Sequence, residues 1–339
     1  LFMLNKAALH NYGPIREVTW NDLGPINLVL GANACGKTFL LKILYVAMRT
    51  LEAYKRGAEH RTAAEILAEK LRWTFQPDKI GDLVSKGRKG ELTCTLELNN
   101  KIFQYSFGKD TTKQISALEN HVSPRSDNSI FLPAKEVLSL HHIILESREE
   151  KQYYGFDDTY LDLARALRQA PRGGKNYAEF AKSRTMLENM LDGKAEFDES
   201  SGSWHFKKGN QKFSVGVTAE GIKKIAILDT LLGNRYLDTN SIVFVDEPEA
   251  ALHPAAISQF LDILALLAER GLQFFLASHS YFVVKKLYLI AQEKGISIPV
   301  ISGEKDSWQS ADLLNGMPEN SIIDESIRLY KKEIDLALK

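Results

Sequence analysis

Gly31-Ala32-Asn33-Ala34-Cys35-Gly36-Lys37-Thr38 fits the pattern G-x-x-x-x-G-K-[ST], and its flanks give the pattern its meaning. The apolar run Ile26 to Leu30 leads into it as a strand, and a helical pattern from Phe39 to Met48 follows. Glycines in such a loop let backbone N–H groups wrap a β-phosphate, and the helix N-terminus adds partial positive charge. Lys37 then neutralises β- and γ-oxygens, and the Thr38 hydroxyl ligates Mg²⁺. ATP and Mg²⁺ are the expected ligands, with Gly31, Asn33, Ala34, Cys35, Gly36, Lys37, Thr38 and Phe39 as the binding set. Cys35 has two readings: a small side chain that fits the cradle, or a thiol made oxidisable by the helix N-terminus.

The second chemical element is Ile242-Val243-Phe244-Val245-Asp246-Glu247, an apolar run that delivers two carboxylates at its C-terminal end. Ligands of an open α/β sheet sit at that end of the strands. Adjacent strand residues point to opposite faces, so one acid suffices for the metal. Asp246 is expected in the Mg²⁺ shell, and Glu247 is expected to orient or deprotonate the attacking water.

Around these two motifs the pattern alternates strand and helix. Strands are expected at Leu4 to Leu9, Ile15 to Trp20, Ser129 to Leu132, Ser241 to Val245, Gln273 to Ala277 and Ser297 to Ile301. Helices are expected from the loop to about Leu51 and at Gly221 to Leu232, Pro254 to Glu269, Ser280 to Gln292 and Ser321 to Leu338. Hairpins are expected over Glu91 to Phe107, turning at Asn99-Asn100, and over Trp204 to Val217, turning at Gly209-Asn210. The predicted class is α/β: a mostly parallel sheet with crossover helices, an antiparallel β subdomain and a helical insertion. Its parts are an N-terminal lobe (1–133), the insertion (134–200, broken by Pro171 and Gly173-Gly174), a C-terminal lobe (201–302) and a helical tail (303–339). In the tail, Ile322, Ile323, Ile327, Tyr330, Ile334 and Leu338 recur at helical spacing, which predicts a face packed on the sheet or docked on another subunit.

Taken together, these motifs resemble the ABC-type P-loop ATPases of the SMC, RecF and OLD group. The likeness covers most of residues 3 to 302: Asn11-Tyr12-Gly13-Pro14-Ile15, Gly24-Pro25-Ile26-Asn27, Asp246-Glu247-Pro248-Glu249-Ala250-Ala251-Leu252-His253-Pro254 and Ala277-Ser278-His279-Ser280. The resemblance implies that His279 is the switch histidine sensing the γ-phosphate. It also implies that Glu249 to Pro254 is the D-loop, with His253 standing where many members have an acid. Thr218-Ala219-Glu220-Gly221 matches a degenerate signature motif, in which Thr218, the helix N-terminus and Lys223 substitute for the usual serine. Another reading makes this segment only a strand-to-helix turn. Phe131 to Glu136 resembles the Q-loop region without its glutamine, leaving Lys135 or Glu136 to reach the metal, or a charged helix start after Pro133. Tyr12 lies where transporter ATPases place an adenine-stacking aromatic; the alternative is a core tyrosine at a strand end.

The resemblance further implies an ATP-dependent homodimer in which each signature region completes the other's site. The function expected of it is a switch or sensor controlling a separate effector protein, as in bacterial phage defence or a toxin system. The alternative is a RecF-like recombination or repair ATPase that binds DNA, with the basic tip Lys86, Arg88 and Lys89 as a phosphate grip or only a solvated loop. A transporter subunit fits less well because the signature serine is missing, and Glu247 argues against a pseudo-ATPase. Lys plus Arg (43) equals Asp plus Glu (43), so overall charge does not select nucleic acid as a partner. Two cysteines make no disulfide framework, and no apolar run reaches membrane-spanning length; a cytoplasmic protein without a membrane partner is expected. Met3 offers a natural start after Leu1 and Phe2, and the stretch beyond Ile301 is too short for the TOPRIM nuclease domain of OLD proteins.

Overall fold

The computed structural model describes residues 3–170, 178–304 and 307–338, so Pro171 and Gly173-Gly174 lie outside the described residues. The chain begins with β1 (Leu4–Tyr12), β2 (Ile15–Trp20), β3 (Ile26–Gly31), α1 (Lys37–Ala53) and α2 (Ala63–Phe75). The hairpin β4 (Leu92–Leu98) and β5 (Lys101–Phe107) turns at Asn99 and Asn100, both at positive φ, the geometry that matches strand twist. Next come β6 (Ala117–Asn120), β7 (Ser129–Leu132), α3 (His141–Leu145), α4 (Asp158–Leu167), α5 (Ala178–Leu191), β8 (Lys194–Asp198), β9 (Ser203–Lys208) and β10 (Gln211–Ser214). The chain continues with α6 (Glu220–Gly233), β11 (Ile242–Asp246), α7 (Pro254–Glu269), β12 (Gln273–Ser278), α8 (Tyr281–Lys294), β13 (Pro299–Glu304), β14 (Ser307–Asp312) and α9 (Ser321–Ala337).

The central sheet runs β14-β13-β3-β12-β11-β7, parallel throughout except for the edge strand β14. Both faces of its inner strands are covered, so they read as continuous apolar runs, and successive residues enter different cores. Leu28, Leu30, Val243, Val245, Phe274 and Leu276 pack with α6, α7 and α8. Val29, Phe244, Phe275 and Ala277 face α1 and the antiparallel sheet β2-β1-β4-β5-β6. Burying each such Leu, Val or Phe contributes about 1.5–3 kcal/mol. A one-residue slip would exchange the two sets, so the register is strongly specified. This places the end of β3 and the end of β11 on one edge of the sheet, with β12 between them.

Three features add to what the sequence showed. The helices of residues 134–200 join the common core. Leu163, Ala164 and Leu167 of α4 and Phe180 and Leu187 of α5 enter the same core as α6 and α7. The acids around α4 also clamp it to the N-terminal lobe, with Lys42–Asp157 at 2.5 Å, Arg49–Asp162 at 3.2 Å and Lys70–Asp158 at 3.2 Å. The end of that stretch is a strand, β8, which completes a three-stranded antiparallel sheet β10-β9-β8. The tail is not wholly helical either, because β14 pairs antiparallel with β13.

The third feature concerns α9. Ile323 is buried, but Ile327, Tyr330, Ile334 and Leu338 are 46%, 63%, 39% and 82% exposed, so the apolar face does not pack on the sheet. Only the first turn is anchored, through Ile323 and the Asn320 cap, whose side chain accepts from the Ile322 N–H. Removing residues 321–339 is expected to cost about 2 kcal/mol, the burial of one isoleucine, and to lower Tm by no more than about 10 °C. Differential scanning calorimetry checks this, and an insoluble product would put α9 in the core.

Candidate nucleotide site

The loop after β3 is shaped by backbone geometry that its residues permit. Gly31 and Gly36 take φ of 147° and 101°, and Ala34 takes 64°. A Cβ on Gly31 would stand 2.4 Å from the Gly303 carbonyl oxygen and 2.5 Å from Cys35 Sγ, so only glycine lets the loop close against β13. The loop delivers α1 with Gly36 as its N-cap and no side-chain capping bond, leaving the first-turn N–H groups for a ligand. Lys37 is buried, and its Nζ lies across the loop, donating to the carbonyls of Gly31 (2.7 Å) and Ala32 (2.9 Å).

From the other side β11 brings Asp246. The Thr38 hydroxyl lies 3.0 and 2.9 Å from its two carboxylate oxygens, uniting residues 208 positions apart. Burial raises the Asp246 carboxyl above the usual range, opposed by the Thr38 bond. A desolvated carboxylate beside a hydroxyl is a pair of hard oxygens that gains from a small cation, and it fits Mg²⁺. That ion keeps several waters and takes its remaining oxygens from substrate phosphates, so few protein ligands are needed.

Glu247 follows with φ 49°, a left-handed backbone that costs a residue with a side chain roughly 1–2 kcal/mol. Its N–H donates to the Ala277 carbonyl at 2.9 Å, which ties the strained residue to β12. His279, just past β12, brings Nδ1 to 3.4 Å from Glu247 Oε1 and 3.8 Å from Glu249 Oε1. Glu249 Oε1 accepts from the Ser278 hydroxyl (2.8 Å), fixing the approach of this loop. The arrangement puts the Glu247 carboxylate, an imidazole and a metal-competent pair at one sheet edge, the groups that phosphoryl transfer to water uses.

The remaining candidates divide. Gly221 opens α6 against the loop after β11: a Cβ there would stand 2.6 Å from the Ala251 carbonyl oxygen and 2.7 Å from Leu252 Cδ2. Around it Val217, Ala219 and Glu220 are exposed, Val217 by 77%. Lys223, expected beside Thr218 in the signature region, turns its Nζ to Glu220 (2.8 Å), Ser139 (3.0 Å) and Glu136 (3.3 Å). Glu136 is thereby engaged, while Lys135 is exposed. His253 caps α7, its Nδ1 accepting from the Ala255 N–H at 3.3 Å.

Tyr12 is corrected: it is fully buried, its hydroxyl is 3.1 Å from that of Tyr105 and its ring is edge-on to Phe39, so it cannot stack on adenine. Asn11, at φ 52°, interrupts the strand alternation just before it. Phe39 is half-buried and lies 4.7 Å from Phe75, at the side of a cleft of about 370 Å³ shared with Thr38, Lys42 and Asp157.

The sequence reading missed Lys224. It is buried on α6, and its ammonium donates to the Glu247 backbone carbonyl at 2.6 Å. Burial pulls its pKa down to about 8, against the charges of Glu249, Asp246 and Glu247. The available signal was a lysine pair inside Ile222-Lys223-Lys224-Ile225-Ala226-Ile227, where apolar neighbours on both sides demand partners for buried cations.

Sheet order and loop placement are those of an ABC-type P-loop ATPase head. The chain belongs to the family described as "AAA domain, putative AbiEii toxin, Type IV TA system", which matches residues 26–285. Among solved structures it is similar to an SMC head bound to the C-terminal winged-helix domain of ScpA, with TM-score 0.52 and 12% identity over 91% of this chain and 97% of that one. It is also similar to the Smc head with an extended coiled coil, bound to the C-terminal domain of ScpA, from Pyrococcus furiosus, with TM-score 0.52 and 11% identity over 98% and 99%. At such identities the likeness concerns the fold. No curated protein matches the chain in sequence. Among the described residues no helix is long and apolar enough to cross a membrane.

Proposed function

We propose that the chain binds Mg-ATP at residues 31–39 and hydrolyses it, and that ATP brings two heads together as a switch controlling a separate effector. The observation that carries the reading is the joining of Thr38 to Asp246 beside the Glu247 and His279 pair. Lys37 moves from its loop carbonyls to the β- and γ-oxygens, and first-turn N–H groups of α1 hold the β-phosphate. Thr38 and Asp246 hold Mg²⁺, which supplies charge neutralisation of the phosphates. Glu247 orients the attacking water and accepts its proton, while His279 contacts the γ-phosphate.

Dimerisation is supported by the surface around α6. Exposed Val217, Ala219 and Glu220 flank the helix start that a partner's γ-phosphate would meet. The family description supports a toxin system as the setting, and the comparison heads bound to ScpA support a protein effector. A cytoplasmic location belongs to the same proposal.

If two heads complete each site, turnover per head should fall on dilution. Phosphate release followed from micromolar to nanomolar protein, with light scattering in ATP, tests this. A constant specific rate from a monomer would refute the sandwich.

A further inference from the structure

We infer that Lys224 is a positioning residue that holds Glu247 in its left-handed backbone and so couples the start of α6 to the hydrolytic carboxylate. The inference deepens the proposed function and rests on Glu247 acting on the water. Its basis is a set of contacts that hold both backbone polar groups of one residue. The Glu247 carbonyl accepts from Lys224 Nζ at 2.6 Å and from the Ala250 N–H at 3.0 Å, while the Glu247 N–H is held by Ala277 at 2.9 Å. A residue at φ 49° stays there only when its surroundings over-determine it, and Lys224 is the one side chain among these donors.

The helix that carries Lys224 is itself seated on the loop after β11. Gly221 is one turn earlier and packs so closely on Ala251 and Leu252 that no side chain fits, and Ala251 is also left-handed, at φ 62°. Any shift of the α6 start must therefore move the 250–252 loop, and through Lys224 it must move the Glu247 peptide as well. Lys223, next on the helix, ties the same turn to Glu136 and Ser139 beyond β7. A cleft of about 390 Å³ opens between these parts, lined by Lys135, Glu136, Glu220, Lys224 and Ala251. The start of α6 is also the surface we propose a second head covers. Arrival of the partner would thus be felt at Glu247 through an ammonium-to-carbonyl bond, with no residue of the partner needed at the water.

Burying an ammonium is unfavourable for folding, and Lys224 gives its hydrogen bond to a neutral carbonyl where a carboxylate would compensate better. That distinguishes positioning from mere structure. Lys224→Met keeps an unbranched chain one atom shorter and removes the charge, so a purely structural lysine whose bond matters for folding predicts a lower Tm. A positioning lysine predicts an unchanged or higher Tm with lost turnover. We expect Lys224→Met to lower kcat at least ten-fold, leave ATP affinity within about three-fold and leave Tm unchanged or raised, and Lys224→Arg to restore part of kcat. Combined with Glu247→Gln, it should slow the reaction no further than Glu247→Gln alone, because both act through one group. Wild-type kcat in Lys224→Met, a parallel loss of ATP affinity and Tm, or additive losses in the double variant would overturn the inference. A Glu247→Gln variant that turns over like wild type would instead remove the reading of the site, and the coupling with it.

Discussion

Lys37→Ala is expected to abolish ATP binding, weakening it by at least roughly 100-fold, because it deletes the main phosphate cation of a loop otherwise built from neutral amides. Among the described residues the Lys37 ammonium donates to the carbonyls of Gly31 and Ala32, which belong to the loop itself, so its loss should not disturb either core. The variant should therefore fold and melt close to wild type. Isothermal titration with Mg-ATP checks the first expectation and calorimetric melting the second. A wild-type affinity would remove the assignment of residues 31–38 as the phosphate site, whatever the fold.

Glu247→Gln should do the opposite, retaining ATP while losing turnover by about 10²–10⁴-fold, since an amide can hold a water without accepting its proton. Glu247 is held in place through its backbone, by Ala277 and Lys224, and its side chain is 37% exposed, so the substitution should leave its placement intact. Single-turnover phosphate release separates the chemical step from product release. Binding of ATP within about three-fold of wild type, with that step slowed, is the expected pair of results. An undiminished rate would move the base elsewhere, and His279, 3.4 Å away, is the next candidate.

How much of this was legible follows from which signals are local. The runs Ile26 to Leu30 and Ile242 to Val245 are apolar because both faces of the inner strands are covered, and a glycine-rich loop and two acids mark their ends. Those features are written in neighbouring residues, so strands β3 and β11, the glycine-rich turn between β3 and α1, and the span of α7 could be read directly. β14 is Ser-Trp-Gln-Ser-Ala-Asp, a mostly polar edge whose strand character comes from its partner β13, and β8 owes its pairing to β9 in the same way. Periodicity in α9 showed an apolar face but not whether anything covers it, and the chain covers little of it. Tyr12 stood at a suggestive distance before the loop, yet the left-handed backbone of Asn11 within β1 breaks the alternation and Tyr12 is buried. Lys223 and Lys224 look like surface lysines until α6 is known to be buried on nearly all sides.

The strand order has a consequence for how such a chain is made. Among the described residues β3, which leads into the glycine-rich loop, pairs with β12 and β13, and the bond from the Asn27 side chain to the Phe274 carbonyl spans 247 residues. At about 5–20 residues per second, a ribosome needs roughly 12–50 s between finishing the loop and finishing its neighbours. During that interval Ile26 to Leu30 is an apolar strand with no ladder to join, the kind of segment that misassembles or recruits chaperones. Closing so long a chain segment also makes nucleation through this strand slow. The part of the site that is translated first is thus among the last to acquire its shape.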